Sequence, residues 1–210
     1  MEPLRVDETL LRRAALAPAR ETRGDADLNP DDARRTALAA RRARPAAVLM
    51  PIVRRPEGLR VVLTVRPDTM RDHAGQIAFP GGKVDAADRS PLAAALREAR
   101  EEIGLTEGHA DVLGPIERWR TSTGYAITPF VALVDGAFQA APQPGEVAAV
   151  FEAPLDFLMD PLNCRLMSRE WRGVERRFWA MPWDRHFIWG ATAGMLKTLA
   201  DRIAAERMWA

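Results

Sequence analysis

Short apolar runs, broken every eight to twelve residues by turn formers, dominate the chain from Pro45 onward. Residues 46–53 and 59–66 are rich in β-branched and aliphatic side chains, and Arg55-Pro56-Glu57-Gly58 between them predicts a hairpin turn. Residues 127–134 and 148–153 predict further strands, and 164–171 with 175–181 predict a second hairpin turning at Arg172-Gly173-Val174. Helical periodicity appears at 91–103 and again over about 188–208. Residues 1–44 read differently. They are rich in Ala and Arg, poor in large apolar residues and punctuated by Pro18, Gly24 and Pro30. Leu10-Leu11 and residues 31–44 each predict a short helix, the second opening at Asn29-Pro30-Asp31. The expectation is a peripheral Arg/Ala-rich helical extension over 1–44 and one folded domain over 45–210. The element order predicts an α+β fold, an α/β/α sandwich with a mixed sheet between helices.

Composition narrows the partners. Of 210 residues 47% are hydrophobic and 28% charged, ordinary values for a globular chain. Thirty Lys and Arg against 29 Asp and Glu leave a net charge of +1, so the overall balance gives no electrostatic case for a nucleic-acid binder. No apolar run approaches the roughly 18 residues of a membrane span, and the first twenty residues lack the apolar stretch of a signal peptide. The expectation is a cytoplasmic protein with no membrane partner. Cys164 is the single cysteine and can form no intrachain disulfide. His109 and His186 stand at no ligand spacing. Whether two copies pair as a homodimer is left open.

Candidate chemistry concentrates in the helix at 91–103. Ser90 is a good N-cap, Pro91 suits the first helical position, and Gly104 supplies a left-handed stop. Leu92, Leu96, Ala99 and Ile103 form an apolar stripe, while Glu98, Glu101 and Glu102 fall together nearly opposite. Such acids are ordinarily a solvated face. Here they crowd the C-terminal half, where the helix dipole disfavours negative charge, and Glu98 and Glu102 are i,i+4 neighbours able to converge on one point. An oxygen-only cluster of this kind suits Mg²⁺ or Mn²⁺.

Gly82 and the run Arg97-Glu98-Ala99-Arg100-Glu101-Glu102-Ile103-Gly104-Leu105 resemble the Nudix box, G-x5-E-x7-R-E-U-x-E-E-x-G-U with U apolar. The second half matches at every fixed position. In the first half Asp88 stands where the pattern has Glu, and eight residues rather than seven separate it from Arg97. The resemblance implies a Nudix fold, hydrolysis of a nucleoside diphosphate derivative, and Mg²⁺ or Mn²⁺ as cofactor. It implies Glu98 and Glu102 as metal ligands, Glu101 as a further ligand or water-orienting base, and the Gly82 carbonyl as an additional ligand. Arg97 is implied to orient the glutamates by ion pairing.

Upstream, residues 62–82 resemble the motif of the coenzyme A diphosphatase branch, L-L-T-x-R-[S/A]-x3-R-x3-G-x3-F-P-G-G. Leu63, Thr64, Arg66, Arg71, Gly75 and Phe79-Pro80-Gly81-Gly82 fit, whereas Pro67 replaces Ser or Ala. Trp189-Gly190-Ala191-Thr192-Ala193 is similar to a segment opening the final helix of that branch. The branch implies cleavage of coenzyme A or its derivatives to 3′,5′-ADP and 4′-phosphopantetheine. Another nucleoside diphosphate derivative such as ADP-ribose, or a nucleotide-binding module without hydrolysis, are the alternatives. Coenzyme A carries a 3′-phosphate besides its diphosphate, so its site needs extra cations. Arg66, Arg71, His73 and Lys83, with Gly75 shaping the loop, are the candidate substrate-binding residues. Glu146, in Pro144-Gly145-Glu146-Val147, is either a fourth acid of the site or a solvated turn residue. Trp171, Trp179, Trp183 and Trp189 are expected to fill the core beneath the last helix rather than to stack on a base.

Overall fold

The structure, a computed structural model, describes residues 4–19, 21–30, 43–68, 75–171 and 173–208. The elements in chain order are α1 (Glu8–Leu16), β1 (Arg23–Gly24), α2 (Asp25–Leu28), β2 (Arg44–Arg55), β3 (Gly58–Val65), β4 (Ile77–Ala78), β5 (Gly81–Lys83) and α3 (Pro91–Ile103). They continue as β6 (Ala110–Pro115), β7 (Trp119–Arg120), β8 (Tyr125–Val134), β9 (Ala149–Pro154), α4 (Leu155–Met159), β10 (Arg165–Trp171), β11 (Val174–Trp183), β12 (His186–Trp189) and α5 (Ala191–Met208).

The centre is β2, flanked by β8 in parallel and by β3 and β5 antiparallel, which makes the main sheet mixed. Residues 46–53 of β2 are buried without alternation, the mark of a strand covered on both faces. Val48, Met50 and Ile52 point to one layer, where α1 and α5 pack; Ala47, Leu49 and Val53 point to the other, where Ala94, Ala95, Ala99 and Ile103 of α3 close over them. This is the expected α/β/α sandwich. A second sheet orders β10-β11-β12.

The splay of β2 from β3 positions the site. The two strands pair only as far as Ile52 and Val61. Beyond that point β3 pairs with β4 and β2 with β5, and Phe79-Pro80 crosses between them, its Pro80 carbonyl accepting from Leu49 N at 2.9 Å.

Three expectations need correction. The α1 helix is not peripheral: Val6, Leu10, Leu11, Ala14 and Ala15 join the core beside α5. Their i, i+3, i+4 spacing makes an apolar stripe that small side chains suffice to fill, despite the arginines around it. The last helix begins at Ala191 rather than 188, because Phe187 and Ile188 pair with β11 and the chain turns at Gly190. Trp179 and Trp183 do pack against the core, but Trp171 and Trp189 are exposed. Strand β6 was not foreseen at all; Gly114 interrupts it with a shift of register. The helix expected over 31–44 falls mostly outside the described residues.

Candidate active site

Local sequence sets the boundaries of α3. Ser90 Oγ accepts from Ala93 N at 3.1 Å, Pro91 follows, and Gly104 ends the helix at φ 71° while its N–H returns to the last turn. Leu105 N bonds Ala99 O at 3.2 Å and completes the stop.

The acidic face of α3 is only partly solvated. Glu102 retains only 9% of its exposure, held where α3 meets β5, and Gly81 N–H donates to its Oε2 at 3.3 Å. Glu98 lies against Gly82 so closely that a Cβ there would occupy the position of its carboxyl group. Any larger residue at position 82 would have to displace that carboxyl group. Burial raises the Glu102 carboxyl to about 7, with the neighbouring Glu98 charge adding to the effect; the Gly81 N–H and Arg66 oppose it. Burial likewise raises Glu98, against the pull of Arg97. Two adjacent carboxylates in a poorly solvated niche destabilise each other when both are ionised. A divalent cation would relieve that repulsion, so this donor chemistry fits a hard, oxygen-seeking ion.

Arg97 is the hub of the surrounding network. Its Nε and Nη2 donate to the two oxygens of Asp88 at 3.1 Å each, and its Nη1 donates to Glu98 and Glu101 at 3.0 Å each. Its Nη2 also reaches the Lys83 carbonyl at 3.4 Å. Asp88 in turn accepts from Asp85 N at 2.8 Å, which fixes the loop before α3, and Arg97 holds its carboxyl below the usual range. The sequence left Asp88 without an assigned role. The signal was its place six residues after Gly82, where the box pattern has an acid.

Not all the candidates converge. Glu101 is the more exposed acid and meets Glu98 at the shared Arg97 Nη1 rather than entering the buried niche of Glu102. Among the described residues no group of three His, Cys, Asp or Glu side chains is already gathered to hold a metal ion. Glu98 and Glu102 are the pair that could hold one, with Glu101 tied to Glu98 through Arg97. Arg66, at the end of β3, lies close enough to act on the Glu102 charge. Arg66 N bonds Gln76 O at 2.9 Å, and Gly75, at φ 67°, donates to Arg66 O at 3.2 Å, closing the intervening loop. Arg71 and His73 lie outside the described residues. Lys83 is exposed on β5.

Glu146 belongs to the site electrostatically, its charge raising both Glu98 and Glu102. Its loop is tied across the cleft: Gln143 N bonds Glu102 O at 2.9 Å, and Ala148 N bonds Val65 O at 2.8 Å. The sequence placed it before a strand but could not say that this strand starts beside α3.

The NUDIX domain model matches residues 43–170. The chain is 44% identical over 164 residues to a protein of Cronobacter sakazakii (strain ATCC BAA-894) called Uncharacterized Nudix hydrolase NudL. That alignment covers 78% of this chain and 84% of the relative. The chain belongs to the Nudix hydrolase family. The NudL protein of Escherichia coli (strain K12) is 42% identical over the same coverage. Among solved structures, the MutT protein of Methanosarcina mazei Go1 aligns over 80% of this chain and 96% of its own, at 18% identity and a TM-score of 0.47. Nudix hydrolases act on nucleoside diphosphate derivatives and generally use divalent metal ions, which agrees with the carboxylate pair on the box helix.

Proposed function

We propose that this Nudix hydrolase cleaves the diphosphate bond of coenzyme A or its derivatives, yielding 3′,5′-ADP and 4′-phosphopantetheine or its acylated form. The observation that carries the reading is Arg66. The strand that bears the branch motif ends at this guanidinium, whose charge acts on Glu102, where a substrate phosphate would need it.

Glu98 and Glu102 would hold Mg²⁺ or Mn²⁺, with the Gly82 carbonyl as a further donor. Such an ion, when bound, neutralises diphosphate charge and acidifies water. Arg97 anchors Glu98 and Glu101 against Asp88, so the acids keep their positions without a rotamer search. Glu101, the most exposed of the three, is placed to orient a water or accept its proton. Arg66, with Arg71, His73 and Lys83, supplies the positive charge that a 3′-phosphate demands, and Gly75 sets the turn of their loop. A cytoplasmic location accords with a single cysteine, Cys164, that has no partner for an intrachain disulfide.

Incubation with coenzyme A and Mg²⁺ or Mn²⁺, followed by mass analysis, tests the proposal. Release of 3′,5′-ADP and 4′-phosphopantetheine, with 3′-dephospho-coenzyme A turned over less efficiently, is expected. Intact coenzyme A alongside cleaved ADP-ribose would move the substrate while keeping the chemistry.

A further inference from the structure

The three-stranded sheet is covered only in part: β11 and β12 pack one face on the core, while β10 is exposed along its whole length. Its inner face carries Met181 and Ile188, both fully buried, and Trp179, packed against the core. Phe151 stacks on His186 with ring centroids 3.7 Å apart and helps to pin β12 to β9. The register sends Met167, Trp171, Val174, Phe187 and Trp189 to the outer face. All five are exposed, and Trp171 keeps 56% of its surface. Large apolar side chains gathered at the exposed surface in this number mark a candidate contact site.

Charge on this face is segregated. Cross-strand rungs alternate between apolar and cationic: Trp171 opposite Val174, Arg169 opposite Arg176, Met167 opposite Phe178, then Arg165 opposite Ala180. Among the described residues that the register assigns to the face, none is acidic; Glu170 and Glu175 sit opposite each other on the other side. The near-neutral total of +1 conceals this separation.

We propose that the outer face of β10-β11-β12 seats on the surface of an anionic lipid bilayer. A second copy docking face to face would bring Arg165 and Arg169 of each copy together, with no acidic residue of the face among the described residues to separate them. Single-stranded nucleic acid stacks successive bases on neighbouring ring faces, whereas Phe178 and Trp189 turn edge to face on each other at 5.3 Å and the other two rings, Trp171 and Phe187, stand at opposite ends of β11. Tryptophan and aliphatic side chains interleaved with arginine match the boundary between acyl chains and phosphate headgroups. No helix among the described residues is long and apolar enough to cross a membrane, so the contact is superficial. The proposal revises the expectation of no membrane partner and is independent of the substrate.

The full chain should be sedimented with phosphatidylcholine vesicles, with and without about one third phosphatidylglycerol. Binding is expected only to the anionic vesicles, weakened roughly tenfold or more by high salt and by the double substitution Arg165→Ser/Arg169→Ser. Trp171→Ser, at the exposed hairpin tip, should also abolish it while thermal unfolding stays unchanged. Absence of vesicle binding, or equal binding to neutral vesicles, overturns the proposal. So does a dimer in sedimentation velocity that Trp171→Ser dissolves, or capture of a single-stranded RNA oligonucleotide in place of vesicles.

Discussion

Arg202 and Glu117 form an ion pair, 2.8 Å from Nε to Oε2, in a place where both side chains are almost wholly buried. Arg202 Nη1 also donates to the carbonyls of Ala14 and Ala17 at 2.8 Å each. One guanidinium on α5 thus satisfies the end of α1 and the segment between β6 and β7. Removing one partner strands the other charge without water. Glu117→Gln and Arg202→Met should each lower unfolding stability by about 3 kcal/mol. Urea titration of the two variants, and of both substitutions together, checks this; the double variant should be less destabilised than the sum of the singles.

Glu102→Gln keeps the size and much of the hydrogen bonding of the side chain but removes a charge from the proposed metal pair. Turnover on any accepted diphosphate should fall by roughly two orders of magnitude or more, with the fold intact. The same variant should lose most of the thermal stabilisation that added Mn²⁺ gives the native protein. Turnover at the native level would remove Glu102 from the chemistry.

Gly82→Ala introduces a methyl group where the Glu98 carboxyl group rests. The displaced carboxylate should weaken Mn²⁺ affinity by about 10- to 100-fold, an effect of the size expected when a ligand is mis-oriented. Calorimetric titration of Mn²⁺ reads it directly. An unaltered affinity would show that Glu98 is not confined by the glycine.

Glu8 tests the docking of α1 on β2. Arg54 donates to both of its carboxylate oxygens at 2.9 Å and Arg12 adds a bond at 2.8 Å, which together lower its carboxyl to about 2. A carboxyl lower in the folded than in the unfolded chain contributes stability that is fully present above the ordinary value near 4.5. That contribution drains away as pH falls toward about 2. Because the group is partly exposed, its worth is at most about 1 kcal/mol. Glu8→Gln should flatten the pH dependence of stability in that acid window and leave neutral-pH turnover unchanged.

Where structure depends on neighbours in sequence, the chain is transparent. Ser90, Pro91 and Gly104 delimit α3 through bonds made within a few residues, and the expected and observed boundaries coincide. The turn after Arg55 and the second hairpin are local in the same way. The i,i+4 spacing put Glu98 beside Glu102, and the box pattern marked Arg97 as their partner.

Burial and pairing with distant segments were decided elsewhere. The spacing of three glutamates does not reveal that Glu102 is shielded while Glu101 is not; that follows from β5, which lies some twenty residues earlier and meets only one side of the helix. Leu10 and Leu11 among arginines read as peripheral until α5 supplies the surface they cover. Residues 188–189 read as the start of the last helix by themselves but become strand because β11 offers them an edge. Sequence determined the caps, turns and acid spacing, whose bonds close within a few residues. Tertiary structure alone decided which carboxylates lose water and which apolar faces find cover, since each needs a partner the local chain does not contain.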